Sequence, residues 1–171
     1  MIGDLVMKKI LLCAVIALSV AAPAYAASGN TSTATGAATA TVVSPIVLTH
    51  TSTATLNFGS FTTGTGGAVI VTSAGAGSVT GDVGVVPGST NSADAFTVTG
   101  DNTRAFSIAT TGGSITNGSS SMSFTTTPSA AAGITSSSGT AGFTVGGTLT
   151  VTTGLATGLY TGSYSATVAY D

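Results

Sequence analysis

Large apolar residues recur at every second position in short runs along this chain, and after Ala26 no stretch of ten residues repeats them at helical spacing. A period of two places alternate side chains on opposite faces of a strand, with one face buried and one wet. The clearest run is the last. Tyr164, Ala166, Val168 and Tyr170 alternate with Ser163, Ser165 and Thr167, and the small Ala169 is the one exception. Thr161-Gly162 just before it reads as a turn into that strand.

Earlier runs repeat the pattern. Val42–Thr49 is the first strong strand, and Pro45 within it marks an edge or a break because proline donates no ladder hydrogen bond. Leu56 and Phe58 share a face, followed by Phe61. Ala68–Thr72 is a short apolar strand, and Ser78–Val86 is another, interrupted by Gly81 and Gly84. Ala95–Thr99 and Ala105–Ala109 flank Gly100-Asp101-Asn102-Thr103, turn chemistry that predicts a hairpin. Ser121–Thr125 presents Met122 and Phe124, and Thr144–Val151 presents Val145, Leu149 and Val151. About nine short strands, each bounded by Gly, Asn, Ser or Pro, predict an all-β, immunoglobulin-like antiparallel β-sandwich. A closed barrel is the alternative. An outer-membrane barrel is disfavoured, because its strands need about 9–11 residues and aromatic girdles, whereas these runs are shorter and tryptophan is absent.

The N-terminus carries export signals. Met7-Lys8-Lys9 is a basic segment, Ile10–Val20 is apolar, and Ala24-Tyr25-Ala26 is a small-x-small cleavage site. Residues 1–26 therefore read as a signal peptide, with Met7 an alternative start to Met1. The apolar run falls short of the roughly 20 residues of a membrane helix. Residues 27–41 read as a flexible or donor-strand-like segment, since Ala34, Gly36, Ala38 and Ala40 share one parity. Residues 42–171 form the sandwich domain. Cys13, inside the apolar run, is the only cysteine, so the exported chain has no disulfide. Export places the protein in the periplasm, at the cell surface or outside the cell.

After residue 26 one cation, Arg104, stands against four aspartates, Asp82, Asp94, Asp101 and Asp171, a net charge of −3. One arginine cannot neutralise a run of phosphates, which excludes nucleic-acid binding. No basic amphipathic segment suits a membrane surface. The few charges also do little to oppose association between strand edges. Arg104 is expected to pair with Asp101 across its turn.

Little here suggests catalysis. His50 is the only histidine, and it reads as an exposed loop residue with no aspartate near it in sequence. Asp101 is accounted for by its turn and Asp94 by the loop edge before a strand. No G-x-S-x-G elbow, phosphate loop or transition-metal ligand set occurs. The chain is expected to be neither an enzyme nor a cofactor binder.

Several short pieces in order carry a resemblance: Ser44-Pro45-Ile46-Val47-Leu48-Thr49, Leu56-Asn57-Phe58-Gly59, Phe96-Thr97-Val98-Thr99-Gly100, Val145-Gly146-Gly147-Thr148-Leu149, and Gly158-Leu159-Tyr160-Thr161-Gly162-Ser163-Tyr164. Together with the closing Thr167–Tyr170 they resemble the bacterial secreted family called domain of unknown function 4402, over roughly Ala38–Asp171. More distantly, the ending resembles subunits of chaperone–usher fimbriae and of the spore-coat-protein-U type, which close on an alternating strand with a penultimate tyrosine and a glycine fourteenth from the end. Tyr170 and Gly158 occupy those places here. The chain departs from such subunits in lacking their cysteine pair and the bulky alternating residues of a strong donor strand.

The resemblance implies a secreted structural or adhesive cell-surface subunit, fimbria-like or coat-like. Its assembly strand would be marked by Gly158, Tyr164, Ala166, Val168 and Tyr170. Its implied partners are further subunits, as a homo-oligomer or within a fimbria, and a periplasmic chaperone, all engaged by strand addition. The alternative reading is a monomeric extracellular module that binds a carbohydrate or surface ligand through the loops Thr62–Gly67 and Pro87–Ala93.

Overall fold

The computed structural model describes residue 29 and residues 31–171. The expected signal peptide, with Cys13, lies outside the described residues. The chain divides into two units, Met1–Thr41 and Val42–Asp171. The described part of the first forms no helix or strand.

The second unit is an all-β antiparallel sandwich with no helix among the described residues. It has thirteen strands where about nine are expected. Two short ones, β2 (Phe61–Thr62) and β5 (Gly84–Val85), pair only with each other. The expected run Ser78–Val86 is split into β4 (Gly77–Gly81) and β5, because Gly81 turns the backbone to a positive φ of 71°.

The large sheet is built around β11 (Thr140–Val151), the longest strand. Its first half pairs with β6 (Asp94–Thr99) and its second half with β3 (Gly67–Val71), whose other edge takes β4. On its far side lies β9 (Ser120–Pro128), followed by β8 (Gly113–Asn117) and β12 (Thr161–Ser163). The edge beyond β6 is β1 (Val47–His50). It begins two residues after Pro45, so the proline marks both a break and an edge strand, as expected. The small sheet runs β10 (Ala132–Ile134), β7 (Ala105–Thr110), β13 (Ala166–Tyr170).

Two apolar clusters fill the unit. Val98, Phe106, Ile108, Phe143 and Val145 form the layer between the β1–β6–β11 side and the small sheet. Phe58, Val69, Val71, Met122, Phe124, Leu149 and Val151 form a second cluster around the other half of β11. The inward positions follow the alternation: Phe106 and Ile108, Met122 and Phe124, and Leu149 and Val151 are all buried.

The hairpin expected across Gly100–Thr103 does not form. β6 pairs with β1 and β11, while β7 pairs with β10 and β13, so this turn carries the chain from one sheet to the other. A tight turn rich in Gly and Asn suits either route, and what decides is the partner each strand finds. The loop after β10 holds the crossover. Thr103 N–H donates to Ser136 O, and Gly100 N–H donates to Gly139 O. Thr135, 2 % exposed, donates its hydroxyl to Asp101 O at 2.6 Å and accepts Arg104 N–H at 2.8 Å. Thr135→Val keeps the shape but leaves two main-chain groups without their partner. The variant should lose about 1–3 kcal/mol of stability, measured by denaturant unfolding against wild type. A loss below 0.5 kcal/mol would show that water replaces the hydroxyl, roughly the change of an ordinary surface site.

Arg104 does not pair with Asp101. Its guanidinium lies over the Tyr170 ring, 5.3 Å from the centroid, a cation–π contact.

Candidate functional site

Two features stand out on this framework: a seam between two strand edges, and a cleft where the chain passes from one sheet to the other near its end.

The seam lies between β1 and β13, the neighbouring edge strands of the two sheets. β13 pairs with β7 from Ala166↔Thr110 to Tyr170↔Phe106, and among the described residues no strand pairs with its other edge. Ala166, Val168 and Tyr170 turn inward as expected and are only half-buried, as are Ile46 and Leu48 of the β1 segment. One end of the seam is tied. The Tyr170 hydroxyl donates to Ser44 O at 2.9 Å and accepts Asp101 N–H at 2.6 Å. The penultimate tyrosine thus joins the last strand to the segment before β1 and to the crossover turn.

Tyr164 stands apart from that strand. The strand expected to run from Tyr164 begins at Ala166, and Thr161-Gly162, expected as a turn, belongs with Ser163 to strand β12 on the edge of the large sheet. Tyr164 sits in the bend between the two sheets and packs against both apolar clusters. Gly158 lies in the loop before β12 at φ 137°, where an added Cβ would strike the Asn117 amide. Of the five expected assembly residues, Ala166, Val168 and Tyr170 therefore share the seam, while Tyr164 and Gly158 lie elsewhere.

The bend opens a cleft of about 390 Å³. Five rings line it in succession. His50 meets Phe96 edge-on at 5.2 Å, Phe96 meets Tyr164 at 6.2 Å, Tyr164 meets Phe124 at 6.2 Å, and Phe124 meets Phe58 at 5.9 Å. One corner is polar. The Asp94 carboxylate, 5 % exposed, accepts three hydrogen bonds: Oδ1 from His50 Nε2 at 2.6 Å and from Ala95 N–H at 2.9 Å, and Oδ2 from the Tyr164 hydroxyl at 2.7 Å. Burial pushes the Tyr164 phenol far above its ordinary range, and the hydrogen bond to Asp94 and the charge of Asp94 push it further. His50 is 46 % exposed, and among the described residues its Nδ1 has no hydrogen-bond partner.

Neither residue of this pair reads as a site in the sequence. Both carry a signal nonetheless. Asp94 shares its parity with Phe96 and Val98, and His50 shares its parity with Ile46 and Leu48. An aspartate on the apolar face of a strand needs partners, and the register His50↔Phe96 supplies one from the neighbouring strand. The loops Thr62–Gly67 and Pro87–Ala93 do not line the cleft. No group of three or more potential metal ligands occurs among the described residues.

An antiparallel β-sandwich whose last strand has no partner on one edge among the described residues, with an aromatic cleft beside it, defines a class by fold rather than by activity. Within that class the chain belongs to the family described as domain of unknown function DUF4402, whose model matches residues 48–170. No curated protein and no solved structure matches the chain.

Proposed function

We propose that this protein is an exported structural or adhesive surface subunit, fimbria-like or coat-like, that associates by strand addition at the seam between β1 and β13. The observation that carries the reading is the edge itself. Among the described residues β13 pairs on one side only, and the apolar side chains on both banks of the seam are half-buried. An added strand would satisfy the free main-chain groups of β13 and cover Ile46, Leu48, Ala166 and Val168. The scarcity of charge on the chain suits association. The likeness of the Tyr170 ending to chaperone–usher and coat-type subunits adds to this reading and brings with it a periplasmic chaperone as a transient partner. The Tyr170 tie to Ser44 bounds the inserted strand at one end.

The test is the behaviour of the chain from Ala27 to Asp171. Light scattering should show oligomers, or a monomer that captures an extended peptide with alternating apolar residues and then protects the β13 amides from hydrogen exchange. A monomer that unfolds cooperatively and neither associates nor captures such a peptide would overturn the reading. That outcome would favour a stand-alone ligand-binding module, for which the cleft is the supporting observation.

A further inference from the structure

The cleft at the bend between β12 and β13 adjoins the seam, sharing Ala166 and the His50 end of β1 with it, and its chemistry narrows what fits it. We infer that it binds a neutral, polyhydroxylated ring of sugar size. The inference rests on the cleft of the single chain and does not depend on the proposed assembly.

Size comes first. A volume of about 390 Å³ lies at the small end of ligand pockets, which run from roughly 300 to 1,000 Å³. It has room for one or two sugar rings.

Charge comes next. Among the described residues the one Lys or Arg side chain is Arg104, and it is engaged over Tyr170 outside the cleft. An anionic ligand would find no cation there and would face the Asp94 carboxylate. A cationic ligand has little to gain, because that carboxylate is buried and already accepts three hydrogen bonds. A neutral ligand remains.

The walls then set its polarity. Phe96, Phe124 and Tyr164 offer apolar surface to the C–H face of a flat ring. An entirely apolar guest would leave the histidine corner unmatched. Asp94 as a carboxylate can only accept, so His50 Nε2 carries the hydrogen it donates. In the neutral imidazole Nδ1 is therefore an acceptor, held in that tautomer and orientation by Asp94. It suits a hydroxyl donor. Thr55 and Ser163 line the same cleft, and a hydroxyl can both donate and accept. An apolar face with hydroxyls along one edge is the profile of a pyranose.

The experiment titrates the exported chain with glucose, galactose, mannose and their disaccharides, followed by NMR of the aromatic side chains. Glucuronate is the charged control, and uncharged naphthalene is the apolar one. Saturable shifts of Phe96 and Tyr164 signals by at least one neutral sugar are expected, with glucuronate at least tenfold weaker. His50→Ala should weaken that sugar by about tenfold, the loss of one good hydrogen bond. His50 is nearly half exposed, so the variant should fold. If it does not, Thr55→Val on the exposed rim should weaken binding roughly threefold to tenfold. No saturable shift with any neutral sugar, glucuronate binding as tightly, naphthalene alone occupying the cleft, or full affinity in a folded His50→Ala would each overturn the assignment. None of these outcomes bears on the oligomeric state, so the two proposals fail separately.

Discussion

Gly146→Val is expected to prevent folding, and even Gly146→Ala should lose more than about 3 kcal/mol, above the usual range for overpacking. Gly146 is buried in the middle of β11, where that strand changes partner from β6 to β3. A Cβ there would run into the main chain of β3 and its turn: Val71 O, the Thr72 carbonyl carbon at 2.5 Å and Ser73 N at 2.6 Å. All three are backbone atoms, so no side chain can rotate away. The neighbouring Gly147 is as tight on the other side, 2.5 Å from Thr125 O of β9. Neither glycine has a positive φ. The requirement is close approach of three strands, not an unusual turn. Circular dichroism and the yield of soluble chain would check the valine variant, and denaturant unfolding the alanine variant. Gly154→Ala, at a glycine with open space around it, is the comparison for unfolded-state entropy, although its φ of 71° adds local strain. A Gly146→Ala protein within about 0.5 kcal/mol of wild type, the range of ordinary surface changes, would mean that β11 and β3 separate without cost.

The same strand shows what a sequence can and cannot disclose here. Alternation alone assigns Val145, Leu149 and Val151 to the core, and all three are buried. The glycine pair between them reads as part of an ordinary strand, although glycine inside a strand often marks close backbone approach. The period of two is a property of one strand and is written locally. Pairing is a property of two strands and is not. Hence the strands on either side of Gly100–Thr103 appear with the right inward faces, Phe96 and Val98, Phe106 and Ile108, but in the wrong relation to each other. The cleft is lost for the same reason. His50 and Asp94 lie 44 residues apart and meet only through the β1–β6 register. The inward parity of each was legible, and the meeting was not. Tyr164 shows a third limit. Its parity with Ala166, Val168 and Tyr170 continues through a bend that takes it out of their strand.

Asp94→Ala should cost about 2–4 kcal/mol, since it strips three donors of a charged acceptor worth roughly 1.5–3 kcal/mol per bond, and water entering the open cleft recovers part of that. Asp94→Asn should cost much less, about 1 kcal/mol. Its amide oxygen can take the Oδ1 place and still accept from His50 Nε2 and Ala95 N–H, while its NH2 donates to the Tyr164 hydroxyl, which can accept as well as donate. Equal unfolding midpoints for the alanine and asparagine variants would refute the hydrogen-bond account.

The pH dependence supplies an independent reading of the same contact. In the unfolded chain a tyrosine releases its proton near pH 10. In the folded protein Tyr164 keeps it to higher pH, because burial first and then Asp94 disfavour the phenolate. The folded state therefore holds a proton that the unfolded state has lost, and stability falls as pH rises. Tyr164's contribution is complete below about pH 10 and is lost above it, with a slope of up to about tenfold in the folding equilibrium per pH unit. Tyr164→Phe keeps the ring between Phe96 and Phe124 and removes the proton, so it should be less stable than wild type near neutrality and show a shallower alkaline decline. Asp94→Asn keeps the phenol and the burial but removes the negative charge, so phenolate absorbance should appear at lower pH than in wild type while remaining above the unfolded range. If Asp94→Asn left the Tyr164 titration where it is in wild type, burial alone would be its cause, and the hydroxyl would contribute no coupling between the last strand and the His50 corner.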